Sequence, residues 1–230
     1  MLQSTPQQHF DFQRLELAKE FYARWEPDTP TARDKASFTR PALTTLGWRT
    51  EQLGRRRTCI VLHRPCRPPT LWVPPSYSLY RTAYQEFLAA YFGFTGRLPR
   101  AWQVDHLNPR VRFDHRTDVP DLYVRLALLP ASVNSGYGWL ERAYCAPKVG
   151  RRLAYGKHGK QEMHMLMFCK AVGVAPPTSA GFEELVCWCG RAGLELAGLL
   201  PDEPSRIFDA LYMQVQRTFD LPTLPPRESA

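Results

Sequence analysis

Between Trp102 and Gly138, two short apolar runs, WQVDHL and YVRLALL, are separated by a polar loop and followed at once by a segment of helical pattern. Runs this short have the length of strands rather than helices. The loop between them is rich in Arg and Asp, and a helix is expected from about Ser132 through Tyr144. Strand, loop, strand and helix in immediate succession leave few ways to fold. The strands pair with one another and the helix packs across them.

Asp105 and His106 are adjacent near the end of the first run. Alternation sends them to opposite faces unless the strand stops there. Asn108-Pro109 just beyond them predicts that it does stop, at the lip of the loop. Asn134 follows two residues after Ser132, a candidate N-cap. A helix lying across the hairpin brings the Asn134 amide oxygen toward the Asp105 carboxylate. A hard cation such as Mg²⁺ takes oxygen ligands and keeps several waters, so a carboxylate and an amide suffice on the protein side. A metal beside one general base is the minimum equipment for hydrolysing a phosphodiester.

The strings LPRAWQVDHLNPR and LALLPASVNSGYG resemble the HNH endonucleases, whose ββα-metal motif has this order. The variant they resemble has Asp-His on the first strand and Asn on the helix, as in the HNH domains of CRISPR effector nucleases. The resemblance spans residues 79–145 and includes the helix and GRLP turn that lead into the motif. It implies Asp105 and Asn134 as ligands of Mg²⁺ (or Mn²⁺) and His106 as general base. Arg125 on the second strand, or Arg142 on the helix, would meet the scissile phosphate, with Glu141 supporting the site from behind. Three features depart from the family pattern. The interval from His106 to Asn134 is 28 residues. No pair of CxxC motifs braces the region, and no histidine follows Asn134 on the helix.

Charge is unevenly distributed. Residues 181–230 hold eight acids against four arginines, a net −4, which leaves +12 on the first 180 residues of a chain whose total is +8. A basic body suits a polyanionic partner, expected here to be DNA, and the acidic C-terminal region suits a protein partner. Two acid-free runs stand out: Arg55, Arg56, Arg57, Arg64 and Arg67, then Arg142, Lys148, Arg151, Arg152, Lys157 and Lys160. Tyr144 and Tyr155 interleave the second, as phosphate tracking with occasional stacking requires. His115, in the loop, is expected to be solvated, and His158 and His164 fall outside the motif.

Six cysteines show no disulfide framework, and reduced thiols are expected. A zinc shared by Cys59, Cys66, Cys187 and Cys189 is the competing reading. No run approaches the roughly 20 apolar residues of a membrane span. The N-terminus lacks a signal peptide's basic segment and apolar run, so the expected location is cytoplasmic.

The sequence thus predicts an α+β protein in three parts: a helix and β-hairpin region over 1–78, a ββα-metal core over 79–145, and a helical region over 146–230. Metal-dependent endonuclease action on DNA is the expected function. Two rivals stay open: a nucleic-acid-binding protein that keeps the fold without the chemistry, and a protein-interaction module.

Overall fold

The computed structural model describes residues 5–22, 31–32, 34–39, 41–108, 122–145, 160–161 and 165–174, with isolated positions between 184 and 191. Most of the helical region expected over 146–230 lies outside the described residues. In chain order the elements begin with α1 (Pro6–Tyr22), the two-residue β1 (Thr31–Ala32), a 3₁₀ turn (Lys35–Phe38) and α2 (Pro41–Thr45). Three strands follow, β2 (Arg49–Leu53), β3 (Arg56–Arg64) and β4 (Arg67–Val73), and then α3 (Tyr80–Phe92). Next come β5 (Trp102–His106), β6 (Tyr123–Pro130) and α4 (Ala131–Cys145), and last β7 (Lys160–Gln161) and α5 (Met165–Ala171). The protein is α+β, with antiparallel strand pairing.

The strands form one sheet in the order β2-β3-β4-β6-β1-β7, with β5 paired to β6. β6 serves two sets of neighbours along its length. Its first residues pair with β4 and β1, and its later ones with β5, from His106↔Leu126 to Trp102↔Pro130. The β3–β4 strands are longer than their apolar runs suggest, because Arg64 and Arg67 flank the Pro65-Cys66 turn as a paired position. β2 carries only one buried residue, Leu53. Its polar sequence RTEQL suits an edge, which is why apolar patterning does not reveal it.

Both faces of the central strands are covered. On β3, Cys59 and Val61 join a core with Ala83, Tyr84, Phe87 and Leu88 of α3. Ile60 and Leu62 turn the other way, toward Phe38, Leu43, Trp48 and Trp72. Burial on both faces explains a continuous apolar run where a half-exposed strand would alternate. α3 buries positions 83, 84, 87 and 88, one stripe at helical spacing. It ends at Gly93, whose φ of 68° is a left-handed cap that a side chain would disfavour.

α1 packs across β6 and against α5. Gln13 makes a two-way clasp on the backbone of Leu128, accepting from its N–H at 2.9 Å and donating to its carbonyl at 3.0 Å. Within the region expected to be helical over 146–230, Lys160–Gln161 is instead extended against β1, and α5 starts at Met165.

Candidate functional site at the end of β5

The register of β5 on β6 decides where the Asp-His pair points. Asp105 lies opposite Ala127 and His106 opposite Leu126, so β5 runs through His106 and ends there. Opposed residues in an antiparallel pair share a face. His106 therefore goes with Val104, Leu126 and Leu128, the side covered by α3. Asp105 goes with Gln103 and Ala127, the side of α4 and α5.

Asn134 reaches the Asp105 side. α4 begins at Ala131, directly after β6, so Ser132 lies inside the first turn instead of capping it. The Asn134 amide nitrogen donates to the Gln103 side-chain oxygen at 2.8 Å. Gln103 and Asp105 are one two-residue step apart on the same face, about 7 Å along the strand. The structure thus brings Asn134 to the face of Asp105, through Gln103 and without direct contact between the two.

Lys170 of α5, which sequence patterning does not single out, holds Asp105. Its ammonium lies 2.5 Å from Asp105 Oδ2 and its side chain is 2 % exposed, against 23 % for Asp105. His106 Nδ1 stands 3.9 Å from Asp105 Oδ1, too long for a direct hydrogen bond. Burial pushes the Asp105 carboxyl up, but the His106 imidazole and the Lys170 ammonium outweigh it and hold the group at about 2. Asp105 is ionised at neutral pH.

His106 is buried at 2 % exposure. Its ring packs on Tyr80 at 4.7 Å between centroids, and its Nε2 has no hydrogen-bond partner among the described residues. Beyond Tyr80 lies an exposed cation: Arg81 Nε donates to the Tyr80 hydroxyl at 3.2 Å, and the guanidinium lies over the same ring. Tyr80 and Arg81 open α3, in the stretch that leads into the motif, but nothing in their own sequence marks them as neighbours of His106.

The cations expected at a phosphate separate into distinct environments. Arg125 is 3 % exposed, and its Nη1 donates to Glu20 Oε2 at 2.5 Å. Arg64 reaches the same carboxylate at 2.5 Å, so Glu20 of α1 fixes two buried guanidinium groups. The place expected for Arg125 at the scissile phosphate is thus a buried ion pair. Arg56 is held by Glu86 of α3 through a two-pronged contact at 2.6 Å and by the Tyr77 hydroxyl at 2.8 Å. The run was acid-free in sequence, and α3 supplies the acid in space. Arg55 and Arg57 are exposed. Glu141 and Arg142 lie on α4 and Lys160 on β7. Lys148, Arg151, Arg152, Lys157, His115, His158 and His164 lie outside the described residues.

Among the described residues no three His, Cys, Asp or Glu side chains gather as a metal cluster. Cys59 and Cys169 are buried and Cys66 and Cys187 exposed, none of them in a disulfide. No helix among the described residues is long and apolar enough to cross a membrane. Neither a protein-family model, nor a curated protein, nor a solved structure matches this chain.

Proposed function

We propose that this protein is a metal-dependent, HNH-type endonuclease that hydrolyses nucleic-acid phosphodiesters, DNA in the first instance. The observation that carries the reading is the placement of three groups about the end of β5. In the order β5–β6–α4 lie an ionised Asp105, a His106 imidazole whose buried Nε2 has no partner among the described residues, and Asn134, which reaches the Asp105 face through Gln103. That order is the ββα arrangement the sequence resembles.

The donor chemistry fits a hard cation. Asp105 offers a carboxylate charged throughout the neutral range, and Asn134, donating through its nitrogen, keeps its amide oxygen for another partner. A bound Mg²⁺ or Mn²⁺ would stabilise negative charge developing on the phosphate and the leaving oxygen. His106 does the proton work. With Nδ1 turned toward the Asp105 carboxylate, Nε2 is the nitrogen that carries a lone pair and accepts a proton from water. A base this buried acts on a water held inside the site, not on bulk solvent. Arg55, Arg57, Arg81, Arg97 and Arg100 are among the exposed described cations available to a phosphate backbone.

The test is nicking of supercoiled plasmid by the purified full chain with Mg²⁺, Mn²⁺ or EDTA, beside His106→Ala. Nicking that needs metal and falls by about 10²-fold or more in the variant is expected for loss of a general base. Equal nicking by His106→Ala would remove His106 from the chemistry. Salt-sensitive DNA binding with no cleavage at any metal concentration would favour the non-catalytic binding protein.

A further inference from the structure

At 1 % exposure, Lys170 is a lysine in a place where lysines are found only when paired. Its ammonium sits on Asp105 Oδ2 at 2.5 Å, a contact that leaves no room for an ion between the two atoms. We propose that Lys170 is the resident cation of the Asp105 site, so that the Asp105–Lys170 pair and a divalent ion at Asp105 exclude one another. This inference rests on the reading of Asp105 as a metal ligand.

The geometry around α5 explains how the ammonium is presented. α5 ends at Ala171, one residue beyond Lys170, in a paired-bond cap. Gly173 N–H donates to the Lys170 carbonyl at 3.0 Å, and Val174 N–H to that of Cys169 at 3.1 Å. Gly173 lies against the Phe10 ring of α1, which anchors this helix end. The backbone of Lys170 is thereby fixed, and only its flexible four-carbon stem can carry the charge away from Asp105. A divalent ion arriving while the ammonium stays would meet a like charge at contact range in a poorly hydrated site. The carboxylate therefore accommodates one cation at a time. Lys170 also compensates the half-buried carboxylate when no metal is bound.

Mn²⁺ binding to the full chain, followed by electron paramagnetic resonance without nucleic acid, tests this directly. Lys170→Gln is expected to bind Mn²⁺ tighter than the wild type, by on the order of tenfold or more. Adding Asp105→Asn should abolish the gain. Equal affinity in wild type and Lys170→Gln overturns the proposal, as does Mn²⁺ binding insensitive to Asp105→Asn in both. Should circular dichroism show Lys170→Gln unfolded, the wild type decides. Acetic anhydride footprinting is expected to label Lys170 several-fold more with Mn²⁺ than without, and unchanged labelling overturns the proposal. Neither readout involves cleavage, so failure of the endonuclease reading, seen as a wild type that never nicks plasmid, remains a separate result.

Discussion

Glu20 accepts two guanidinium groups at once, Arg64 from β3 and Arg125 from β6, and all three residues are buried. Such a triad gains little over an apolar core of equal shape, yet breaking it is costly, because the remaining charges stay buried and uncompensated. Glu20→Ala leaves two arginines in that state. It is expected to lose about 3–5 kcal/mol of unfolding free energy, read as a fall in the urea midpoint at unchanged slope. A loss below about 1 kcal/mol would mean that the arginines escape to water in the variant. Single positions in the sequence announced chemistry without environment. Asp105 and His106 were legible because two adjacent polar residues interrupt an apolar run. Arg125 was legible only as a charge, since its partner lies 105 residues away. Lys170 was not legible at all, for its meaning comes from Asp105, 65 residues distant.

Elements were easier to read than residues wherever burial is one-sided or complete. α3 declared itself through its apolar stripe, β3 and β6 through runs buried on both faces, and β5 through a short apolar run broken by the Asp-His pair. β2 did not, because an edge strand with one buried residue has no apolar pattern to show. The faces of β5 also required the register, as a shift of one residue would exchange Asp105 with His106. Docking of α5 onto α1 turns on one glycine. Gly173 has φ of +79°, and a Cβ there would stand 2.3 Å from Phe10 Cζ. Gly173→Ala thus combines left-handed strain, about 1–2 kcal/mol, with overpacking of about 1–3 kcal/mol. The expected total of about 2–5 kcal/mol should appear in thermal melts, and the variant should also weaken the Lys170–Asp105 contact by displacing α5. A melt matching wild type would show that the α1–α5 packing yields freely.

Across the whole molecule, acid stability is set by groups that fold buried and neutral or buried and paired. His9 joins α1 to α3 through a hydrogen bond of 3.0 Å between its Nε2 and the Tyr84 hydroxyl, which in turn donates to Gln13 at 2.9 Å. Because Tyr84 spends its proton on Gln13, His9 Nε2 is the donor in this chain. Its Nδ1 is then a bare, buried acceptor with no partner among the described residues. Burial lowers the His9 group from 6.5 to about 4, since a proton on Nδ1 would place a charge with nothing to receive it. The folded value is depressed, so the unfolded chain binds the extra proton first. The stability is whole above about pH 6.5 and declines as pH falls toward about 4, by on the order of 3 kcal/mol. Asp105 adds a second, lower window of the same sign, from its ordinary value of 3.8 down to about 2. Urea titrations at steps between neutrality and about pH 4 should therefore show a steady loss in the wild type. His9→Gln, which keeps a donor toward Tyr84 but cannot titrate, should flatten the upper window and leave the lower one. An unchanged slope in that variant would shift the acid sensitivity of this fold away from the α1–α3 contact and onto its carboxylates.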